Sequence, residues 1–301
     1  MVVSAAFPLL GPLLLAFALG AFVANTPWAW SGQLAQRANA TKNILRWGVV
    51  LLGLRVSGVD LLGVGASGLG VIVATVALTY SSTLWFGRRM RMDRGLVTLV
   101  AAGFSICGAA AIAAVNDVVR AQQRYVGLAI ALVTIYGSAM IVGLPALATA
   151  LGLSDRQAAV WAGASIHEVA QVIAAASIIG PSVVAIAMTI KLGRVMLLAP
   201  VCIAASREFH TPGPKAPMVP WFVGAFAVAV AVRSTGLLSD QVLGVAGFTT
   251  TLFLSAGMFG MGLGIRFVDL WPVPASALAL ATLATLTAAA SSLTLVTLFV
   301  A

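Results

Sequence analysis

Residues 161–172 carry a histidine, a carboxylate and an amide within a stretch that is otherwise apolar enough to cross a bilayer. Ionisable groups in hydrocarbon are expensive and rare, so this cluster indicates a functional site. On a helical wheel Ser165, His167, Glu168 and Gln171 fall within about half of the circumference, so they can face one cavity. We expect His167 and Glu168 to bind and release protons during a transport cycle, and Ser165 and Gln171 to donate hydrogen bonds to a substrate.

The same cluster of polar residues has three other possible roles. It could be a structural hydrogen-bond cluster between helices, and the residues alone leave that alternative open. A metal site is disfavoured because His167 and Glu168 are adjacent, point apart and have no further ligands nearby in the sequence. A hydrolytic site is disfavoured because the spacing of Ser165 and His167 does not bring their side chains together on a helix.

Three cations, Arg55, Lys191 and Arg194, lie within apolar segments. A cation buried this deeply needs a partner or an anionic substrate. Lys191 could instead extend its ammonium to the interface. Because these three cations face a single carboxylate within the spans, Glu168, the sequence favours an anion pathway over a cation pathway.

The composition shows which elements must hold these residues. Of the 301 residues 61% are hydrophobic and 8% are charged, which is more apolar material than one soluble core needs. A spanning helix needs about 20 apolar residues, and the sequence lacks the alternation of a membrane barrel. We therefore predict an all-α integral membrane protein with about ten spans. They are expected near 4–24, 44–62, 68–88, 97–118, 125–150, 157–178, 182–204, 219–237, 244–264 and 272–300.

The net charge of +9 is distributed as membrane topology requires, and does not indicate nucleic-acid binding. With ten spans, one face carries three arginines, Arg120, Arg124 and Arg233. The other face carries Arg37, Lys42, Arg46, Arg88, Arg89, Arg91, Arg94, Arg156, Arg207, Lys215 and Arg266. The second face is predicted to be cytoplasmic, so both termini are expected outside. Neither a disulfide framework nor a cleavable signal peptide is expected.

Two internal matches indicate a duplication. Residues 45–52 align with 190–197 at a shift of 145, and residues 102–108 align with 256–262 at a shift of 154. Each pairs a span of the first five with the span five later, and an odd offset reverses direction across the membrane. We therefore predict two inverted five-helix repeats, residues 1–151 and 152–301.

The two predicted repeats place glycine pairs in corresponding spans, four and nine. Glycine pairs in corresponding spans of two halves indicate discontinuous helices that meet at the midplane. The free backbone N–H groups of such a break favour an anion. Close helix packing is the alternative explanation. The predicted substrate-binding residues at this crossing are Gly103, Ser105, Cys107, Gly108, Gly260 and Gly262, and one or more of Arg55, Lys191 and Arg194 are expected to bind the anion with them.

Several blocks resemble the YeiH-type family of bacterial inner-membrane transporters, for which sulfate or sulfonate-related export is proposed. They are residues 45–55, 105–111, 166–175 and 191–200, with Pro220-Trp221-Phe222 as a further mark. The resemblance covers the chain from about residue 7. It implies a secondary transporter in the bacterial inner membrane and, more distantly, a ten-helix inverted-repeat carrier with crossed broken helices. Similar proteins usually carry one more hydrophobic helix before this start.

The functional prediction is a proton-coupled carrier of a small sulfate-, sulfite- or sulfonate-like anion that works by alternating access. It needs no cofactor and no metal, and it is not an enzyme. A cation (Na⁺)/proton antiporter on the same architecture is the alternative, with Glu168 binding the cation and Lys191 as counter-charge. The bilayer, the anion and protons are the expected partners, and a homodimer would be ordinary for such carriers.

Overall fold

The computed structural model of the protein describes residues 12–26, 33–209, 221–263 and 272–300, and within these ranges the chain is helical without strands. A 3₁₀ turn, Gly53–Arg55, follows α2. In chain order the helices are α1 (Pro12–Ala24), α2 (Gln33–Leu52), α3 (Gly58–Gly63), α4 (Gly65–Arg89), α5 (Arg94–Ser105), α6 (Ala109–Val119), α7 (Gln123–Ala150), α8 (Asp155–Ser165), α9 (Val169–Ile179), α10 (Pro181–Met196), α11 (Leu198–Glu208), α12 (Trp221–Ser234), α13 (Asp240–Leu263) and α14 (Ala275–Phe299).

Five helical stretches among the described residues are long and apolar enough to cross a bilayer, which confirms the all-α membrane class. They are Gly65–Arg89, Gln123–Ala150, Pro181–Glu208, Asp240–Gly260 and Ala275–Phe299. Apolar residues such as Phe22, Val73, Ile135 and Phe248 are exposed on the outside of the bundle. Water would disfavour that surface, whereas lipid accommodates it.

Residues 94–119, which we call hairpin A, do not form the predicted crossing span. Asp93 caps α5 by accepting a hydrogen bond from the Leu96 backbone N–H at 3.1 Å, and α5 ends at Ser105. After a three-residue break, α6 runs back alongside α5. Gly95 at the start of α5 therefore lies next to Ala121, which follows α6: a Cβ added to Gly95 would lie only 3.0 Å from the Ala121 Cβ. A straight 26-residue helix would separate its ends by about 39 Å. The two ends of hairpin A therefore lie at the same end of the bundle.

Residues 155–179, which we call hairpin B, have the same form. Ser154 and Gln157 make a capping box at the start of α8, and α8 ends at Ser165. After the break α9 runs back, and the Ser182 hydroxyl at the start of α10 donates to the Asp155 carboxylate at 3.2 Å. The prediction of a single spanning helix at 157–178 is therefore wrong, because this segment also begins and ends at one end of the bundle.

The two hairpins enter the bundle from opposite ends. The helix between them, α7, has 28 residues and is about 42 Å long, enough to cross a bilayer completely. The stretch α10–α11 then returns, and Glu208 at its end forms an ion pair with Arg88 at the end of α4. Each hairpin helix has 11 or 12 residues, which is about half of a hydrocarbon core. The hairpin tips therefore meet near the middle of the bundle.

The predicted break in span nine is also corrected. Helix α13 is continuous from Asp240 to Leu263. Its glycines serve close packing: Gly257 lies against Leu45 of α2, and Gly262 lies against the Phe17 carbonyl of α1. The packing alternative thus accounts for these glycines, and the structural counterpart of hairpin A is hairpin B rather than span nine.

Because the hairpins do not cross the bundle, they change which end of the bundle the arginines lie at. Arg120 and Arg124 follow hairpin A and lie at the same end of the bundle as Arg94. Arg156 moves to the opposite end with Asp155. For the stretch 65–208, the basic residues therefore concentrate at one end even more strongly than ten alternating spans predict.

Candidate functional site

The breaks at the two hairpin tips have different local causes. In hairpin A, Gly108 adopts φ +76° and ψ −133°, which only glycine tolerates readily, and α6 starts at the next residue. In hairpin B, Glu168 is the N-cap of α9 and forms a reciprocal capping box with Gln171. Satisfying the orphan N–H groups of a new helix makes the restart favourable. Each tip thus presents one helix C-terminus and one helix N-terminus to the other.

Arg194 of α10 joins the C-terminal ends of α5 and α8. Its Nε donates to the Ser105 carbonyl at 2.9 Å, and its Nη2 donates to the Ser105 carbonyl at 2.6 Å and the Phe104 carbonyl at 2.9 Å. Its Nη1 donates to the carbonyls of Ala164 at 2.7 Å and Ile166 at 3.2 Å. A guanidinium has five N–H donors. All of them are used, so Arg194 fixes the tips and has no donor left for a substrate, contrary to its predicted role.

Lys191, one turn earlier on α10, makes the same kind of bridge. Its Nζ donates to the Ile106 carbonyl at 2.5 Å and to the Ile166 carbonyl at 2.7 Å. The side chain is fully buried, so extension of the ammonium to the interface is ruled out. Helix C-termini carry partial negative charge that a cation offsets. One of its three donors remains for another acceptor.

The Glu168 carboxylate lies at two helix N-termini at once. It caps its own helix α9 at the Gln171 N–H, and its Oε1 accepts a hydrogen bond from the Ala109 N–H of α6 at 3.4 Å. A Cβ added to Gly108 would lie 2.5 Å from the Glu168 Cγ, so only glycine leaves room for this carboxylate. Gln171 completes the cap. Its Oε1 accepts a hydrogen bond from the Glu168 N–H at 3.1 Å, and its Nε2 donates one to the Thr134 carbonyl at 3.3 Å.

His167 lies beside Glu168 in the break and is fully buried. Its Nε2 pairs with the Thr285 hydroxyl of α14 at 3.1 Å, and its ring lies 4.5 Å from the Phe104 ring, centre to centre. Within the described residues its Nδ1 makes no hydrogen bond of good geometry, and the Phe104 backbone is a polar neighbour of the ring. A buried polar nitrogen without a partner is rare and indicates a position for a proton or a ligand.

The predicted serines and the remaining tip residues play smaller parts. Ser165 donates to the Trp161 carbonyl at 2.6 Å, and Ser105 donates to the Ala102 carbonyl at 3.4 Å, so both hydroxyl hydrogens are used within their own helices. Cys107 is buried in tip A, between α5 and α6. Gly103 packs against Ile112 and allows the close return of α6.

Arg55, Gly260 and Gly262 are not part of the tip cluster. Arg55 ends the 3₁₀ turn after α2 and its side chain is exposed, so the expectation of a deeply buried cation was wrong there. Gly260 and Gly262 lie within the continuous helix α13.

Sequence reasoning missed Thr134 and Thr285, which contact the cluster from α7 and α14. It also missed a repeat: Gly103-Phe104-Ser105-Ile106 recurs 60 residues later as Gly163-Ala164-Ser165-Ile166. Each copy ends a helix whose last carbonyls accept from Lys191 or Arg194. This shift of 60 could have identified the two hairpins.

The known proteins to which this chain is similar are membrane proteins of one family. The family model described as conserved hypothetical protein 698 matches residues 2–281. A UPF0324 membrane protein of Corynebacterium glutamicum is 40% identical over 276 residues, which are 90% of this chain and 80% of the relative. A UPF0324 membrane protein of Pseudomonas aeruginosa is 34% identical over 289 residues, with 88% and 81% covered. The UPF0324 inner membrane protein YeiH of Salmonella typhi is 33% identical over 262 residues, with 83% and 75% covered. No solved structure matches the chain.

Proposed function

Since this chain belongs to the conserved hypothetical protein 698 family, that of the UPF0324 membrane proteins including YeiH, we propose that it is a secondary carrier of small anions. The family places the chain in a membrane, and the name of the Salmonella relative suggests the bacterial inner membrane for this chain as well. Sulfate, sulfite and small sulfonates are the proposed substrates, with a bound anion coupled to a proton.

The observation that carries this proposal is the electrostatics of the hairpin tips. Lys191 and Arg194, both fully buried, bring two positive charges to the place where α6 and α9 begin. The two helix C-termini together carry about one negative charge, and the two helix N-termini together carry about one positive charge. The Glu168 carboxylate adds one negative charge. The tips therefore retain a balance of about one positive charge, which an anion at the midplane would neutralise.

His167 and Glu168 are the proposed proton carriers of this cycle. They lie in the break between α8 and α9, where a small change of backbone angle moves them relative to both hairpins. Opposed half-length hairpins suit alternating access, because opening beside either one would connect the tips to a different side of the membrane. A homodimer would be in keeping with such a carrier.

A cation/proton antiporter fits the same contacts less well. Backbone carbonyls at helix C-termini are typical ligands of Na⁺ in broken-helix transporters. Here the carbonyls of Ser105, Ile106 and Ile166 already accept hydrogen bonds from Arg194 and Lys191. An enzyme is a weaker proposal too, because the tip cluster lies near the middle of the bundle and the hydroxyls of Ser105 and Ser165 already donate within their own helices.

The test is uptake of labelled sulfate, sulfite and methanesulfonate into proteoliposomes, with and without an imposed pH gradient. We expect saturable uptake that follows the gradient in the wild-type protein and in the surface variant Arg88→Gln. We expect the response to the gradient to disappear in His167→Ala. Na⁺-dependent proton movement without anion flux would refute the anion carrier and support the antiporter.

A further inference from the structure

The Glu168 carboxylate occupies the position at which a substrate anion would gain most from the hairpin tips. Free N–H groups at the start of a helix attract anions, and α6 and α9 both begin at the tips. The Ala109 N–H of α6 and the Gln171 N–H of α9 already donate to this one carboxylate. The protein therefore carries its own anion at both helix N-termini.

Two buried polar groups on residues next to the cap of α9 have no hydrogen-bond partner of good geometry among the described residues. One is the His167 Nδ1, and the other is the Thr134 hydroxyl, whose side chains are 0% and 8% exposed. His167 directly precedes Glu168, and the Thr134 carbonyl accepts from Gln171, so the two unpaired groups flank the cap of α9. Buried groups of this kind are normally paired, so they indicate a ligand that is held here in another state.

We propose that Glu168 is a tethered competitor of the substrate: the anion binds to the N-termini of α6 and α9 only when the Glu168 carboxylate has left them. This inference rests on the proposed anion transport and adds the mechanism of coupling. Only a small movement is needed to free the N-terminus of α6. The Glu168 carboxylate contacts α6 through one hydrogen bond of 3.4 Å, which is at the long end of the hydrogen-bond range.

The competition links the anion to a proton. A neutral carboxylic acid binds helix N-termini less strongly than a carboxylate, so protonation of Glu168 releases them. Anion and proton are then bound in the same state and cross the membrane in the same direction. The other ionisable groups that face Glu168 are Lys191 from α10 and Cys107 from tip A. His167 is adjacent in the chain, and Arg194 donates to the nearby Ile166 carbonyl.

The experiment measures proton uptake when sulfate or methanesulfonate binds to the purified full-length protein in weakly buffered detergent solution. Both probes remain anionic over the working pH range, so they take up no proton themselves. We expect about one proton per bound anion, and a Kd that rises about tenfold per pH unit while Glu168 is ionised in the free protein. In Glu168→Gln the proton uptake and the pH dependence of Kd should both disappear.

Two further variants separate the explanations. In Glu168→Ala the N-termini are permanently free, so the anion should bind more tightly than in the wild type at high pH and without proton uptake. Uptake that persists in Glu168→Gln but disappears in His167→Gln would assign the proton to the imidazole and overturn the competition. Transport without any proton uptake would overturn the competition and leave the anion carrier intact. Failure of both probes to bind to the wild type and to Glu168→Ala would overturn both proposals.

Discussion

Replacing Arg194 with lysine should destabilise the protein strongly although the charge is conserved. The guanidinium donates five hydrogen bonds to the carbonyls of Phe104, Ser105, Ala164 and Ile166. An ammonium has three donors and no planar fork, so at least two of these bonds are lost. Each buried acceptor left short costs about 1–3 kcal/mol, so the free energy of unfolding should fall by about 2–6 kcal/mol.

The assay is equilibrium unfolding in mixed micelles, followed by tryptophan fluorescence. Arg88→Lys is the matched control, because Arg88 makes an ion pair with Glu208 while its side chain is 64% exposed. An exposed pair contributes about 0–1 kcal/mol, so this control should unfold almost as the wild type does. If Arg194→Lys lost no more stability than Arg88→Lys, the role of Arg194 as the clamp of both tips would be refuted.

Three further predictions test the geometry of the tips and the direction of the hairpins. Gly108→Ala should be destabilised by about 1–3 kcal/mol, because its positive φ and the nearby carboxylate disfavour a Cβ; Gly143→Ala, in open space on α7, should unfold at or above the wild-type midpoint. A cysteine pair at Asp155 and Ser182 should cross-link within one molecule in oxidising membranes; a segment that crossed the bilayer would give no such product on a denaturing gel. Thr285→Val removes the hydroxyl that pairs with the tip imidazole and should lower the free energy of unfolding by about 1–3 kcal/mol in the same micelle assay, and an unchanged value would contradict that contact.

Much of the site could be predicted from residue types, whereas the connection between the helices could not. The burial of Lys191 and Arg194 and their need for partners follow from the sequence, because hydrocarbon tolerates such groups only with partners. Their partners, however, are backbone carbonyls, and a sequence does not show which carbonyls a helix break leaves free. For this reason the sequence predicts a substrate contact for Arg194, whereas its guanidinium donates to backbone carbonyls of the two hairpin tips.

Hydropathy explains the wrong prediction of ten spans. Two apolar half-helices joined by three residues have the same total length as one spanning helix, so 97–118 and 157–178 resembled spans. The reciprocal cap of Glu168 and Gln171 was visible as a helix start within the second of these segments. In span nine the glycine pattern predicts a break, but close packing of these glycines against α1 and α2 accounts for them. The wider division into residues 1–151 and 152–301 stays a prediction.

The arginine clamp has a consequence for biosynthesis. Hairpin A and hairpin B precede Arg194 in the chain, and none of their helices is long enough to be recognised as a complete span. Until α10 enters the bilayer, the last carbonyls of α5 and α8 have no donors, and until both hairpins are in place the guanidinium has no acceptors. The two hairpin tips can therefore reach their final hydrogen bonding only after residue 194 has entered the bilayer. A polypeptide released from the ribosome before residue 194 would expose both hairpins to the cell's quality control.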